Sequence, residues 1–229
     1  MPFQLQVRGG AAVPAGKIVA VAKNYEDHRK EMAGREGGPG ETRVGVPQTP
    51  PQVFLKPASC LLADGGILRI PPGVTNVQWE TELAVIIGDT INQATEEEAM
   101  GRVLGYAVFL DMTARDLQAE AKRAGMPWSL SKGMDGFGPI SDVVIATQAP
   151  PWDKMELRLL VNGEVRQRSL TSAMIHSVPR VLAHVSRFMT LERGDIVATG
   201  TPAGVGPVKK GDTLEAELLG QSRVRVTVE

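Results

Sequence analysis

Three acidic residues in otherwise apolar stretches are the first candidates for chemistry. Glu80 and Glu82 lie two positions apart within residues 79–88, and Asp111 ends the apolar run 105–111. Because side chains alternate along a strand, the two glutamates are expected on one face. Buried like charges need a cation, and three carboxylates suit Mg²⁺, Mn²⁺ or Ca²⁺ better than Zn²⁺. The alternative is a solvated strand face with Asp111 at a helix entry, and spacing alone leaves both open.

Two further groups are candidates for acid–base and oxyanion chemistry. His28 and Glu31 are three positions apart in a polar, helix-compatible stretch, so a carboxylate there can orient an imidazole as a general base. Lys132 lies in the glycine-rich stretch SLSKGMDGFGPI, which predicts a loop, and a lysine there can stabilise an oxyanion or enolate. The alternatives are a surface helix with a chance His/Glu pair and a solvated loop lysine.

Arg115 and Gln118 share a helical face directly after Asp111. Arginine binds a carboxylate through two parallel hydrogen bonds, so this pair is a candidate clamp, although an ordinary helix surface gives the same pattern. His184 lies among apolar residues and is interpreted as structural. Cys60 has no evident partner and is not predicted to be a catalytic thiolate.

Alternating and periodic patterns predict the elements that position these residues. Two helices are predicted with capping boxes, Thr95 with Glu98 and Thr113 with Asp116, the second ending at Gly125. Asn162-Gly163 predicts a hairpin turn. The predicted strands are 17–22, 53–57, 66–73, 79–88, 105–111, 195–200 and 214–228, with a hairpin at 155–170 and an amphipathic helix at 178–189. This pattern predicts a strand-rich α+β fold, with a mixed or barrel-like sheet and few short helices.

The bulk composition bounds the class of protein. The 229 residues include 42% hydrophobic and 22% charged residues, and the net charge of −1 argues against nucleic-acid binding. One cysteine suits a reducing compartment, and the N-terminus lacks a signal peptide, so a cytoplasmic location is expected. We expect one domain over 1–229, with the glycine- and proline-rich stretch 34–51 as a lid or loop.

Seven motifs in order make the chain resemble the fumarylacetoacetate hydrolase family, in its short single-domain form. Each is weak alone, but together they cover the chain from about residue 17 onwards. They are Asn24-Tyr25-x-x-His28 with Glu31, Phe54-x-Lys56-Pro57-x-Ser59, Trp79-Glu80-x-Glu82-Leu83-Ala84, Asp111-x-Thr113-Ala114-Arg115-Asp116-x-Gln118, Lys132-Gly133-x-Asp135-x-Phe137-Gly138-Pro139, Val161-Asn162-Gly163-Glu164 and Thr199-Gly200-Thr201-Pro202-x-Gly204-Val205-Gly206.

The resemblance implies a set of roles for these residues and a β-roll fold, usually in a homodimer. It implies Mg²⁺ or Mn²⁺ as the metal, bound by Glu80, Glu82 and Asp111. It implies that His28 and Glu31 activate water near a lid and that Lys132 contacts the substrate. The substrate-side residues that it implies are Tyr25, Arg115, Gln118, Gly200 and Thr201.

The reaction expected from this resemblance is hydrolysis of an acylpyruvate, such as fumarylpyruvate or acetylpyruvate, to pyruvate and a carboxylic acid. Decarboxylation of oxaloacetate and isomerisation of 2-hydroxyhepta-2,4-diene-1,7-dioate are alternatives on the same framework, and a non-catalytic oxo-acid-binding protein is a fourth. The presence of both His28 and Glu31 favours hydrolysis. Residues 122–128 resemble members that act in aromatic catabolism, which also favours an acylpyruvate.

Overall fold

The computed structural model describes residues 2–36 and 49–229, and it is rich in short strands. The strands are β1 (Gln4–Leu5), β2 (Val13–Pro14), β3 (Ile18–Ala22), β4 (Gln52–Lys56), β5 (Leu61–Leu62), β6 (Ile67–Leu68), β7 (Val77–Trp79), β8 (Thr81–Ile87), β9 (Val103–Leu110), β10 (Thr113–Ala114), β11 (Gly138–Pro139), β12 (Val144–Ile145), β13 (Glu156–Val161), β14 (Glu164–Leu170), β15 (Ile196–Ala198), β16 (Gly206–Pro207), β17 (Thr213–Leu218) and β18 (Ser222–Val228).

Within the described residues, five α-helices and four short 3₁₀ helices connect these strands. The α-helices are α1 (Glu26–Glu36), α2 (Glu96–Met100), α3 (Arg115–Ala124), α4 (Ser129–Lys132) and α5 (Val178–Ser186). The 3₁₀ helices are Ala58–Cys60, Ala146–Gln148, Trp152–Lys154 and Thr171–Ala173. None of the helices in the described parts of the chain has the length and apolar character needed to cross a bilayer.

Two sheets carry most of the structure. The first has six strands in the order β12-β9-β8-β15-β3-β4, antiparallel except for the parallel pair β15–β3. The second has five strands in the order β14-β13-β17-β18-β6. Smaller two- and three-stranded sheets join them. The strand-rich α+β prediction with a mixed sheet is confirmed, and the sheets remain open rather than closing into a barrel.

The central strands of the six-stranded sheet are buried on both faces. One face packs against the five-stranded sheet and α5 through residues that include Val19, Leu83, Val85, Leu159 and Val226. The other face packs against the N-terminal strands through Ile18, Ala84, Ile86, Phe109 and Ala198. Continuous burial explains why β8 is apolar on both faces after its second residue, Glu82; Glu80 lies directly before the strand.

Most of the predicted elements are confirmed. The Thr95–Glu98 capping box is present at α2, Gly125 ends α3 with a left-handed φ of 65°, and the Asn162-Gly163 turn joins β13 to β14. The amphipathic helix is confirmed as α5, shorter than predicted, with Val178, Val181, Leu182 and Val185 buried.

Three local predictions are wrong. Thr113 belongs to β10, so it does not cap α3. Asp116 instead accepts hydrogen bonds from the amide and hydroxyl of Thr75, at 2.6 and 2.8 Å. Lys132 ends the short helix α4 rather than lying in a loop. The predicted loop 34–51 begins too early, because α1 continues through residue 36. Its central part, residues 37–48, lies outside the described residues.

Candidate metal centre and active-site pocket

The pairing of β8 with β9 brings the three predicted ligands together. Thr81 pairs with Leu110, and the Asp111 amide donates a 2.8 Å hydrogen bond to the Glu80 carbonyl. One oxygen from each of Glu80, Glu82 and Asp111 lies within 4.8 Å of the others, and all three side chains are buried. This juxtaposition depends on strand register.

Three cationic side chains surround this carboxylate cluster. Lys132 Nζ contacts both Glu80 Oε2, at 2.7 Å, and Asp111. Lys56 Nζ lies 2.6 Å from Asp111 Oδ1 and donates to the Phe137 carbonyl at 2.9 Å. Arg115 forms an ion pair with Glu80. The formal charges of the three acids and three cations cancel, so the cluster can accommodate a divalent ion together with a doubly negative ligand.

Glu82 is the carboxylate of the cluster with the greatest need of a cation. Its Oε2 accepts a 2.7 Å hydrogen bond from the Gly200 amide, and no cationic side chain among the described residues forms an ion pair with it. Burial, followed by the charges of Asp111 and Glu80, raises the pKa of Glu82 well above its ordinary value. An all-oxygen donor set with a buried, unneutralised member fits Mg²⁺ or Mn²⁺.

The electrostatics assign different protonation states to the other groups. Burial raises the pKa of Glu80, but Arg115 and Lys132 outweigh it and hold the pKa below the ordinary value. Burial lowers the pKa of Lys132, yet the charges of Asp111 and Glu80 raise it overall, so this lysine is an ammonium ion at neutral pH. It can therefore offset negative charge in a ligand, but it cannot act as a base.

The predicted water-activating pair lies on α1 and is only partly assembled. His28 is 5% exposed and lines the pocket beside Glu80 and Glu82. Burial lowers the pKa of His28, which keeps the imidazole neutral and able to accept a proton. The separation of His28 Nδ1 and Glu31 Oε2 is 3.6 Å, slightly longer than a hydrogen bond. Glu31 also accepts a 3.1 Å hydrogen bond from the Gly204 amide, which ties α1 to the loop after β15.

The predicted substrate residues separate into two groups. Arg115, Gln118 and Thr201 line the pocket, with Arg115 donating to the Gln118 side-chain oxygen at 2.8 Å. Gly200 does not line the pocket, and its amide donates a hydrogen bond to Glu82. Tyr25 is 2% exposed, does not line this pocket, and its hydroxyl has no hydrogen-bond partner among the described residues. Burial and the charge of Glu82 raise the pKa of Tyr25.

An aromatic pair forms the outer wall of the pocket. The rings of Phe54 and Trp128 meet edge to face with centroids 5.6 Å apart. Lys132 Nζ lies 4.9 Å from the Phe54 centroid, and Lys122 Nζ lies 5.7 Å from the Trp128 centroid. Lys23, whose φ of 56° is unusual for a non-glycine residue, also lines the pocket. Besides Lys132, which contacts the carboxylate cluster, the pocket lining therefore includes two further lysines, Lys23 and Lys122.

Sequence reasoning assigned no role to three polar residues that support the site. Asn24 donates to the carbonyls of His176 and Thr199, at 3.0 and 2.8 Å, and so fixes the base of α1. Lys56 forms an ion pair with Asp111. The sequence pattern that could have identified Lys56 is a lysine at the end of the apolar stretch VFLK. Gln167, on β14, is buried and hydrogen-bonded to the loop after β15. Burial raises the pKa of Cys60 to about 11, which disfavours the thiolate form.

Comparison with known proteins agrees with this fold and site. The profile of the fumarylacetoacetate (FAA) hydrolase C-terminal family matches residues 17–229. The chain therefore belongs to the fumarylacetoacetate hydrolase family, and the resemblance inferred from the seven motifs is confirmed.

Similar proteins within this family carry different reaction names. An Arabidopsis thaliana protein named oxaloacetate tautomerase FAHD1, mitochondrial, is 45% identical over 93% of this chain and 91% of its own length. The fumarylpyruvate hydrolase of Pseudomonas aeruginosa, solved with Mn²⁺ and pyruvate, matches with a TM-score of 0.89 and 35% identity over 99% of this chain and 95% of its own. A 2-hydroxyhepta-2,4-diene-1,7-dioate isomerase from Mycobacterium marinum matches with a TM-score of 0.78 and 32% identity over 96% and 81%.

Proposed function

We propose that the protein is a Mg²⁺- or Mn²⁺-dependent hydrolase that cleaves acylpyruvates to pyruvate and a carboxylic acid. The observation that carries the proposal is a buried His28 that lines the same pocket as Glu80 and Glu82, two members of the carboxylate cluster. Hydrolysis needs a base for water as well as a charged centre for the 2-oxo acid, and this pocket contains candidates for both. The Pseudomonas aeruginosa structure contains both Mn²⁺ and pyruvate, which supports the proposal that this protein binds a divalent ion together with a 2-oxo acid.

In the proposed mechanism, the three carboxylates hold the metal, and His28 and Lys132 act on the attacking water and the oxyanion. When bound at the three carboxylates, a divalent ion supplies positive charge that stabilises the enolate of a 2-oxo acid. His28 accepts a proton from the attacking water, whose oxygen adds to the acyl carbonyl. Lys132 offsets the charge of the tetrahedral oxyanion. The bond between the acyl carbon and the methylene carbon then breaks, and the resulting enolate takes up a proton to give pyruvate.

The outer wall of the pocket favours an acyl group that carries its own carboxylate. Lys122 and Lys23 line the pocket, and the Phe54–Trp128 pair provides an apolar surface for the carbons of the acyl group. A fumaryl group has this arrangement of an unsaturated chain ending in a carboxylate, whereas an acetyl group does not. We therefore propose fumarylpyruvate as a better substrate than acetylpyruvate.

Keto–enol tautomerisation of oxaloacetate is the second candidate. It is favoured by the 45% identity to the Arabidopsis thaliana protein of that name. Tautomerisation needs proton transfer at carbon and no attack by water, so it requires the charged centre and a base but not cleavage. Oxaloacetate is also a dicarboxylate, and it would satisfy the same positive charge at the outer wall.

A substrate panel separates these candidates. The Mn²⁺-loaded protein is mixed with fumarylpyruvate, acetylpyruvate, oxaloacetate and 2-hydroxyhepta-2,4-diene-1,7-dioate, and products are followed by NMR. The proposal predicts pyruvate from the first two and loss of activity with a chelator. Faster interconversion of oxaloacetate tautomers without pyruvate from any acylpyruvate would transfer the assignment to the second candidate.

We also propose that the protein acts as a homodimer, as the family resemblance implies. Strand β4 is the edge of the six-stranded sheet, and its Val53 and Leu55 are 37% and 49% exposed. A second copy can pair with this edge and cover both side chains. Light scattering should give twice the 24.5 kDa mass of the chain, and Leu55→Glu should give the single mass. A monomeric wild-type protein would overturn this proposal.

A further inference from the structure

We propose that Gln167 is a positioning residue that sets the spacing between the ligand turn, residues 80–82, and the substrate loop, residues 200–202. The inference rests on the proposed function, because it assumes that these two segments hold the metal and the substrate. Gln167 does not line the pocket, so its effect would be transmitted through groups that do.

The side chain of Gln167 makes three hydrogen bonds to these two segments. Its Oε1 accepts from the Thr81 amide at 3.0 Å, between the two glutamate ligands. Its Nε2 donates to Thr201 Oγ1 and to the Pro202 carbonyl, both at 2.9 Å. The side chain is 2% exposed, so water does not substitute for these partners at low cost. One amide group therefore joins the ligand turn to the substrate loop.

The partners also determine which way the amide points. The Thr81 amide can only donate, and the Pro202 carbonyl can only accept, so a flipped Gln167 would place donor against donor and oxygen against oxygen. Glutamate would keep the acceptor for Thr81 and lose at least one of the two donors. Methionine would fill a similar volume and lose all three bonds. The arrangement therefore requires glutamine.

This orientation has a consequence for the hydroxyl of Thr201. Because Gln167 donates to Oγ1, the hydroxyl hydrogen must point elsewhere. The Thr201 hydroxyl donates a long hydrogen bond of 3.5 Å to the Pro202 carbonyl, which also accepts from Gln167. Thr201 lines the pocket, so its hydroxyl can exchange this weak bond for one to an oxygen of a bound ligand. We infer that Gln167 presents Thr201 as a donor to the carboxylate of the 2-oxo acid.

A β-bulge in β14 positions the side chain of Gln167. β14 is an edge strand, and Gln167 is its one buried residue in a strand described throughout. A register shift between Leu159 and Leu160 leaves Arg166 without a paired residue on β13. The Arg166 carbonyl packs against Gly204, where an added Cβ would lie 2.3 Å from it. A bulge of this kind directs a side chain locally, and here it brings β14 against the loop after β15.

The test measures ligand binding as well as activity. In Gln167→Met, the dissociation constant of pyruvate on the Mn²⁺-loaded protein should rise roughly 10–100-fold, with a matching rise in KM for fumarylpyruvate. Gln167→Glu keeps the acceptor for Thr81, so its dissociation constant for Mn²⁺ should stay within threefold of the wild-type value. Its affinity for pyruvate should nevertheless be lower than that of the wild type. Isothermal titration calorimetry gives both constants.

A double-mutant cycle tests whether Gln167 acts through Thr201. Thr201→Val should weaken pyruvate binding, and Gln167→Met should then weaken it further by less than threefold. Leu159→Ala is the matched control, because Leu159 pairs with Gln167 across the sheet and has an apolar side chain. It should lower the melting temperature and leave the pyruvate constant unchanged.

Specific results would overturn the inference. Pyruvate binding and KM within twofold of the wild type in both Gln167 variants would show a purely structural role, as would additive effects in the cycle. A wild-type protein that does not bind pyruvate would overturn it too. A wild-type protein that binds Mn²⁺ and pyruvate but hydrolyses no acylpyruvate would contradict the proposed function while the binding test of Gln167 still stands.

Discussion

The backbone amide of Gly200 donates a 2.7 Å hydrogen bond to Oε2 of Glu82, so the loop after β15 orients a carboxylate on β8. Gly200 has a φ of 94°, and a Cβ there would lie 2.7 Å from that of Asn24. Glycine is therefore required where the loop approaches the base of α1. This contact gives Glu82 a neutral partner, whereas Glu80 and Asp111 have cationic ones.

This difference between the carboxylates predicts opposite effects on stability. Glu82→Gln should raise the free energy of unfolding of the metal-free protein by about 1–2 kcal/mol, because it removes a carboxyl group whose ionised form is destabilised by burial and by the charges of Asp111 and Glu80. Glu80→Gln should lower it by about 3 kcal/mol, because it weakens the pairs with Arg115 and Lys132. Both should weaken Mn²⁺ binding at least tenfold. Urea unfolding and calorimetry measure these quantities, and equal destabilisation by both substitutions would contradict the charge assignment.

His28 is predicted to matter for cleavage more than for metal binding. His28→Gln should lower kcat for fumarylpyruvate hydrolysis by about 10²–10⁴-fold, because the water loses its base. The affinity for Mn²⁺ should remain within a few-fold, since His28 is not one of the three carboxylate ligands. Initial rates of pyruvate release measure the first effect. Near wild-type cleavage in this variant would remove His28 from the mechanism.

Lys122 is predicted to select substrates that carry a distal carboxylate. Lys122→Met should raise KM for fumarylpyruvate roughly tenfold and leave KM for acetylpyruvate unchanged, because only the former has a charge to bind at the outer wall. Arg123→Met is a matched control on the same helix, since Arg123 does not line the pocket. A similar change for both substrates would show that Lys122 acts without recognising the carboxylate.

His176 is predicted to make the protein sensitive to acid. Burial, followed by the charge of Arg180, lowers its pKa to about 4, and its Nδ1 has no hydrogen-bond partner among the described residues. A proton then binds more tightly to the unfolded chain, whose histidine pKa is near 6.5. The stability is complete above that pH and is lost as the pH falls toward 4.

The substitution His176→Asn isolates this effect. Between pH 7 and pH 4.5, the wild type should lose about 2 kcal/mol more stability than the variant. The Asn24 hydrogen bonds are preserved, because they go to the backbone of His176. His184→Asn serves as the comparison, since that ring is more exposed. Parallel stability curves for His176→Asn and the wild type would refute the assignment.

Local patterns predicted the elements well because each depends on a few neighbouring residues. The run of apolar residues after Glu82 predicted β8, and Asn162-Gly163 predicted the hairpin. Thr113 satisfied the same capping pattern as Thr95 but entered a strand, because pairing of β10 with β7 overrides a local preference. A sequence window does not contain that tertiary partner.

The acidic cluster could be predicted from the sequence, whereas the residues that support it could not. Glu80, Glu82 and Asp111 were singled out because charges in apolar strands are conspicuous. Their approach depends on the β8–β9 register, which spacing along the chain does not specify. Gln167 lies among arginines and a serine in a strand that looks exposed, and the bulge that buries it has no sequence signal.

One labelling experiment tests the central claim most directly. The Mn²⁺-loaded protein is incubated with fumarylpyruvate in H₂¹⁸O, and the fumarate is examined by mass spectrometry. Attack by water at the acyl carbon predicts one ¹⁸O atom in each fumarate molecule formed, with none formed in the Glu82→Gln variant. Unchanged fumarylpyruvate under conditions where oxaloacetate tautomers interconvert rapidly would contradict the assignment of this pocket to carbon–carbon hydrolysis.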